Sequence, residues 1–205
     1  MADINGTATT DTLDGTSDTD VINGLGGDDR IIGYGGDDTI FGGSGDDFLI
    51  GGGGNDVISG GSGDDYVGGG SGDDTLYGGE GNDDLLGGTG NDSLYAGSGA
   101  NRLFGGSGDD WLVSGSGNDF LIGGAGADTF LFDNILNMHT GNDRVVDFEI
   151  GIDTIFIRAT GDTDFGSLDL AQAGNNTLIS LADGSNVILN NISVGDLSAD
   201  DFQIV

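Results

Sequence analysis

The sequence predicts an all-β solenoid: stacked coils of 18 residues forming two short parallel sheets, with a β-rich cap at the C-terminal end. Three observations carry that prediction. Glycine makes up 45 of 205 residues while proline is absent. A nine-residue period runs from residue 6 to residue 131. Within that period one column is apolar throughout and another is almost always aspartate.

The period is clearest from Gly42, where Gly42-Gly43-Ser44-Gly45-Asp46-Asp47-Phe48-Leu49-Ile50 is followed by Gly51-Gly52-Gly53-Gly54-Asn55-Asp56-Val57-Ile58-Ser59. It continues through Gly60, Gly69, Gly78 and Gly87, then less perfectly through Ala96, Gly105, Ser114 and Gly123. Backwards it passes Gly33 and Gly24 and degenerates at Gly15 and Gly6. The eighth position is apolar in all fourteen units, from Leu13 to Phe130. The sixth is Asp in thirteen of fourteen, the exception being Asn101. A disordered acidic linker has no reason to hold a core residue and a carboxylate in fixed phase.

The physics of one unit follows from its residues. Glycines at positions 1, 2 and 4 permit a sharp turn, including φ > 0, and free their carbonyls to point inward at a cation. Positions 7 to 9 form a short strand with the middle side chain inward. Three residues cannot bury a core alone, so units must stack, two to a coil. Seven coils at about 4.8 Å spacing make a rod of roughly 34 Å. The sixth-position carboxylates then form a ladder along each edge. Two unit charges about 4.8 Å apart repel by roughly 3.5 kcal/mol at an effective dielectric of 20. Repeated along the rod, that exceeds a small domain's net stability of about 5–15 kcal/mol. The fold therefore needs cations between rungs. An all-oxygen ligand set of carboxylates and carbonyls selects Ca²⁺ before Mg²⁺, and neither Zn²⁺ nor Cu²⁺.

Composition narrows the remaining classes. With 34 Asp, 2 Glu, 4 Arg and no Lys, the formal charge is −32, which excludes nucleic acid and anionic membranes as partners. Near-exclusive use of Asp over Glu keeps carboxylates on short stems, as a metal site inside a tight turn requires. Without Cys there is no disulfide framework, zinc thiolate or catalytic thiol. No apolar run is long enough to insert into a membrane. The stretch Met1-Ala2-Asp3-Ile4-Asn5-Gly6 lacks the basic and apolar regions of a conventional signal peptide.

The repeat Gly-Gly-x-Gly-x-Asp-x-apolar-x resembles the RTX (repeat-in-toxin) calcium-binding nonapeptide, a pattern known as a Ca²⁺-binding β-helix repeat. The resemblance implies a right-handed parallel β-roll, with Ca²⁺ held between each turn and the next turn on the same side. Carried over, Asp29, Asp47, Asp65, Asp83 and Asp119 are metal ligands on one edge. Asp38, Asp56, Asp74, Asp92, Asp110 and Asp128 are ligands on the other. Carbonyls come from Gly43 and Gly45, Gly52 and Gly54, Gly61 and Gly63, Gly70 and Gly72, Gly79 and Gly81, and Gly88 and Gly90. The rungs so defined hold about eight to ten Ca²⁺, and eight would reduce the charge to about −16, leaving the rod acidic and soluble. Asn101 predicts weak or empty sites on its edge, with Arg102 partly replacing the cation. Asp11 and Asp20 sit in units without the glycines and are doubtful ligands.

Organisation follows: degenerate repeats over 1–23, the roll over 24–132, and a cap over 133–205. The cap reads as strands at Arg144–Phe148, Asp153–Ile157, Thr177–Ala182, Asn186–Asn190 and Phe202–Val205, with a hairpin turn at Asp183-Gly184. Gly141–Glu149, Asn176–Asn190 and Leu197–Phe202 resemble the region after the roll in serralysin-type secreted peptidases. The ending Asp200-Asp201-Phe202-Gln203-Ile204-Val205 looks like the signal read by type I secretion machinery, although a terminal edge strand would look similar.

No catalytic constellation emerges. The single His139 reads as a surface loop residue and cannot supply a two-His metalloprotease helix, and there is no Gly-x-Ser-x-Gly elbow. Outward aromatics are predicted on two faces: Phe48, Tyr66, Phe104 and Phe120 on one, and Phe41, Tyr77, Tyr95 and Trp111 on the other. Half-exposed aromatics are ordinary on strands, but these also offer a surface to a polysaccharide or protein partner. The expected function is a non-catalytic, secreted, extracellular bacterial module that folds on binding Ca²⁺. The alternatives are an export or folding accessory of a larger secreted enzyme (a peptidase, lipase or alginate epimerase) and a surface-layer or biofilm-matrix component.

Overall fold

A computed structural model describes residues 1–133, 141–158, 164–181 and 183–205. The chain is an all-β parallel solenoid of two sheets, and its only helical pieces among the described residues are three single 3₁₀ turns. Strands β1 (Asp3–Asn5), β2 (Thr12–Asp14) and β3 (Val21–Asn23) are three residues long. From β4 (Arg30–Gly35) to β12 (Arg102–Ser107) a six-residue strand begins every nine residues. β13 (Trp111–Val113) shortens, then β14 (Phe120–Ala125) and β15 (Thr129–Asp133) lengthen again. Through β15, odd-numbered strands build one sheet and even-numbered strands the other. Register advances by 18 residues per coil, as in Leu49 against Val67 and Leu76 against Leu94.

These strands are longer than the three residues expected. The first three positions of the next unit also join the ladder, as Gly43 against Gly61 and Ser44 against Ser62 show. The turn is thus compressed into positions 4 to 6. The eighth-position column from Ile22 to Phe130 is fully buried and forms the core between the sheets. Ile4 and Leu13, with neighbours above but no coil below, are only partly buried.

The C-terminal strands extend the stack. β16 (Asn142–Val145) pairs with β14, and β17 (Thr154–Arg158) pairs with β15, both in parallel. β18 (Asp169–Ala173), β19 (Asn176–Ser180) and β20 (Asn186–Leu189) form an antiparallel meander that closes one sheet against β16. β21 (Phe202–Ile204) closes the other against β17. Four of the five strands expected in the cap match to within a residue or two. β16 starts two residues earlier than expected and ends three sooner, and β18 was not foreseen. The hairpin at Asp183-Gly184 is present, with the Gly184 N–H donating to the Leu181 carbonyl at 3.0 Å. One core runs without a break from Ile22 to Leu197, so the cap shares the roll's hydrophobic interior.

Position 2 of the regular turns takes φ near +120°, for example at Gly52 and Gly70. Leu25 and Tyr34 adopt φ of 79° and 77° at the same position. A Cβ at Gly43 would meet the Leu25 carbonyl oxygen at 2.3 Å, so side chains are barred further along. Leu25 and Tyr34 follow turns carrying Thr7 and Thr16, neither of which takes positive φ, and the steric conflict does not arise there.

Two substitutions test this packing. Leu85→Ala should cost about 2–5 kcal/mol, the range for a fully buried leucine. Leu25→Gly should gain about 1 kcal/mol by relieving left-handed backbone. Chemical denaturation in saturating Ca²⁺ reads both.

Candidate metal centre

Each interior turn presents its sixth-position Asp inward, buried, at the end of a strand. The Asp29 N–H donates to Oδ1 of Asp47 at 2.7 Å, and the Asp47 N–H to Oδ1 of Asp65 at 2.8 Å. The second edge repeats this from Asp20 through Asp38, Asp56, Asp74, Asp92 and Asp110 to Asp128, at 2.7–2.9 Å. Thus the carboxylates do stack at 18-residue intervals, and a backbone N–H lies between successive rungs.

The second oxygen is the informative one. Oδ2 of Asp29, Asp38, Asp47, Asp56, Asp65, Asp74, Asp83, Asp92, Asp110, Asp119 and Asp128 is buried with no hydrogen-bond partner. These eleven residues are the Asp ligands implied by the repeat. A buried unpaired carboxylate oxygen is costly unless a cation meets it. The space beside it is shaped by glycine. A Cβ at Gly42 would lie 2.3 Å from Oδ2 of Asp47 and 2.7 Å from the Gly60 carbonyl oxygen. Both oxygens therefore face a volume that only a missing side chain leaves open. Carbonyls at positions 2 and 4 point the other way along the stack: a Cβ at Gly61 would meet the Gly43 oxygen at 2.1 Å, and one at Gly63 the Gly45 oxygen at 2.1 Å. The same holds for Gly52 and Gly54 against Gly70 and Gly72, and for the latter pair against Gly88 and Gly90. Gly79 and Gly81 stack on Gly61 and Gly63 in the same way.

Among the described residues no three acidic or histidine side chains gather at one point. The arrangement supplies one carboxylate and several backbone carbonyls per gap, a hard all-oxygen set that fits Ca²⁺. Position 1, glycine in every unit from Gly24 to Gly87, was expected to free a carbonyl along with positions 2 and 4; its absent side chain also leaves the space beside Oδ2.

Burial, above all other causes, raises the pKa of these carboxyls. Asp47, Asp56, Asp83 and Asp128 move up to about 6, and Asp65, Asp74, Asp110 and Asp119 to about 7. Each shift is a cost to the ion-free roll at pH 7.5, where the buried carboxyl is charged, and the cost recurs from rung to rung.

A second ladder, missed in the sequence reading, clamps the outside of the turn. Position 5 is Asp or Asn in nearly every unit from Asp28 to Asn118. Its Oδ1 accepts the N–H of position 5 in the next coil, as with Asp46 to Asp28 at 3.0 Å and Asp73 to Asn55 at 2.9 Å. Asn serves as well as Asp here because only one oxygen is used. Position 6 tolerates no such exchange without consequence, because both oxygens have tasks.

Asn101 shows the consequence. Its Oδ1 accepts the Asp83 N–H at 2.8 Å, preserving the ladder, while its Nδ2 donates to the Gly99 carbonyl at 3.4 Å. A donor now stands where a ligand oxygen would be, and it engages a carbonyl of the turn. Arg102 does not replace the cation, contrary to expectation. Position 7 faces outward, and its guanidinium pairs with Asp84, its register partner on the sheet surface. Ala96 and Ser114 place side chains at position 1 of this edge, where other turns have glycine.

Three of the four edge ends close in a common way. The Thr7 N–H and Oγ1 donate to Oδ2 of Asp11 at 2.6 and 2.8 Å, and those of Thr16 to Oδ2 of Asp20, both at 2.8 Å. At the other end the Glu149 N–H donates to Oδ2 of Asp153 at 2.8 Å, while Oδ1 accepts the Asp128 N–H at 3.0 Å. Here the peptide supplies the donors that interior turns lack. Hydrogen bonds from Ala2 and Thr16 hold the Asp20 carboxyl below its usual range. Asp143 extends the first edge by accepting the Asp119 N–H at 2.9 Å. The spacings of 24 and 25 residues hid Asp143 and Asp153 from a search with a period of nine. His139 lies outside the described residues.

The family model for the RTX calcium-binding nonapeptide repeat, built as four copies, matches residues 5–40, 32–67, 41–76, 59–94, 77–112 and 95–130. The chain belongs to this family of calcium-binding repeats. A search of curated proteins finds no match. Among solved structures, the extracellular lipase LipA of Serratia marcescens is similar at 18% identity and TM-score 0.46, covering 98% of this chain and 39% of the lipase. The AlgE6R3 subunit of the Azotobacter vinelandii mannuronan C5-epimerase is 21% identical, with TM-score 0.29 and coverage of 96% and 80%. The AlgE6R2 subunit of the same enzyme is 20% identical, with TM-score 0.29 and coverage of 98% and 91%. The chain thus spans well under half the length of the lipase.

Two outcomes test the site. The folded pKa values lie above the unfolded one, so the ion-free fold is favoured below about pH 4 and loses that stability as pH rises through 6–7. In chelator, β-structure by circular dichroism should therefore grow as pH falls from 8 to 5, and Ca²⁺ binding at pH 6 should release protons in calorimetry. Asn101→Asp should raise the Ca²⁺ stoichiometry by at least one ion, measured by equilibrium dialysis.

Proposed function

We propose that this chain is a secreted, non-catalytic calcium module that remains largely unfolded at cytosolic Ca²⁺ and folds on reaching extracellular Ca²⁺. The observation that carries the reading is the row of buried Asp Oδ2 atoms with no protein donor. With about eight to ten Ca²⁺ between the rungs, Asp29 through Asp128 and the glycine carbonyls of positions 2 and 4 form the sites. Position 1 adds a carbonyl from the neighbouring coil. Binding would shift the folding equilibrium by mass action, at affinities of about 10⁻⁴–10⁻³ M typical of extracellular modules.

Folding linked to Ca²⁺ suits export through type I secretion machinery, which passes an extended chain. The segment proposed as the signal, Asp200–Val205, ends in an edge strand of the roll, so it would be free of the sheet before Ca²⁺ binds. The repeats over 1–23, the metal-binding roll over 24–132 and the cap over 133–205 would then have separate tasks: closing one end, binding ions and addressing the chain. Calcium titration followed by far-ultraviolet circular dichroism should show a cooperative gain of β-structure. A fully formed roll in excess chelator at pH 7.5 would overturn the reading.

A further inference from the structure

The sheet of odd-numbered strands carries an outward stripe unlike the rest of the surface. Position 9 on this face reads Asn5, Asn23, Phe41 and Ser59 over the first coils. From there it is apolar over five successive strands: Tyr77, Tyr95, Val113, Leu131 and Phe156. Gln203 then ends it. At about 4.8 Å per coil, the stripe is some 19 Å long. Tyr77 and Tyr95 stack with centroids 4.9 Å apart and planes within 12°. Trp111 leans on Phe156 at 5.7 Å.

The stripe borders two adjoining cavities of about 250 and 310 Å³, which share Tyr95, Val113 and Gly115. Their cause is local. β13 ends at Val113, where neighbouring strands run on, and Ala96 and Ser114 replace the position-1 glycines. The following Gly97 and Gly115 have φ of 94° and 80°, against about 120° in regular turns. The backbone draws away from the regular ladder and leaves a trough. At the far end Arg158 Nη1 donates to Oδ2 of Asp133 at 3.2 Å, with the arginine half exposed. Position 7, on the same face, adds hydroxyls from Thr75, Ser93, Thr129 and Thr154.

We propose that this trough binds an uncharged glycan chain. The apolar column, with the outward edges of the stacked tyrosines and the side chains of Val113 and Leu131, suits the apolar C–H faces of sugar rings, and the flanking hydroxyls and the Arg158–Asp133 pair suit their hydroxyl edges. The net charge of −32, still about −16 with eight Ca²⁺ bound, repels polyanionic chains. The trough is one side-chain column wide, too narrow for the roughly 800 Å² per partner of a stable protein interface. The proposal rests on the roll being folded, and so on the calcium reading above.

Trp111 is the only tryptophan, so its emission reports this trough alone. The calcium-loaded protein, with its fold verified by circular dichroism, is titrated with neutral β-linked gluco-oligosaccharides and, separately, with an oligouronate. A saturable change in Trp111 emission with the neutral chain only is expected. Tyr95→Ala and Tyr77→Ala should each weaken it at least about tenfold, whereas Phe48→Ala on the opposite sheet should leave it unchanged. Absence of a saturable change at about 10 mM sugar, equal response to the oligouronate, equal loss in Phe48→Ala, or a Trp111 shielded from acrylamide would each overturn the proposal. Failure of the roll to form in Ca²⁺ would instead count against the folding reading.

Discussion

Every interior turn from Asp29 to Asp128 except that of Asn101 buries a carboxylate of which one oxygen is bonded by the coil below and the other has no hydrogen-bond donor in the protein. The rest of the molecule can be understood from that half-satisfied group. Oδ1 fixes the vertical register, because it accepts the N–H of the residue 18 positions earlier, as Asp65 does from Asp47. Oδ2 fixes the demand for a cation, because burial raises the cost of its charge and no donor offsets it. The same side chain thus aligns the coils and makes their stacking conditional. A protein-only solenoid would separate those tasks. Here the eighth-position core brings the coils together, and the sixth-position carboxylates decide whether they remain so.

The ends of the array show how little separates an ion-dependent turn from an independent one. In Gly52 or Gly70 the position-2 residue lies at φ near +120°, and no N–H reaches the Asp four residues on. In Thr7, Thr16 and Glu149 the position-2 N–H donates to that carboxylate. One backbone dihedral therefore exchanges a peptide donor for a cation. Threonine adds a hydroxyl donor and disfavours φ > 0, so it enforces the closed form. Turns of this kind bound both edges at the N-terminal end, and the edge of Asp128 at the C-terminal end.

Much of this was legible in the sequence, and what was not has identifiable causes. The period, the buried eighth column, the sixth-position Asp and the alternation of two sheets all follow from side chains in fixed phase, and the structure has them where the phase puts them. The position-5 ladder was equally visible as an Asp/Asn column, but it requires knowing that an Asx side chain can accept from the adjacent coil. Arg102 was misplaced because proximity to Asn101 was allowed to outweigh alternation, and a residue one step along a strand faces the other way. Asp143 and Asp153 were hidden by spacings of 24 and 25. The ladder depends on position in space, which an insertion preserves and a fixed period does not.

The two edges are unequal, and the inequality has a structural logic. Ala96, Asn101 and Ser114 all belong to the edge of Asp47, Asp65 and Asp83; the edge of Asp56, Asp74, Asp92 and Asp110 has none of these departures. On the departing edge the position-1 side chains occupy the cradle, Asn101 turns a donor on the Gly99 carbonyl, and the strand after Val113 leaves the ladder. The backbone shift at these turns is the shift that opens the trough outside them. Regular ion rungs demand an identical turn in each coil, and identical turns give a flat outer face. A concave surface on such a roll therefore requires one or two coils to depart from the repeat. The unbroken edge, with its N–H to carboxylate ladder intact from Asp20 to Asp128, keeps the coils in register while the other departs from the repeat.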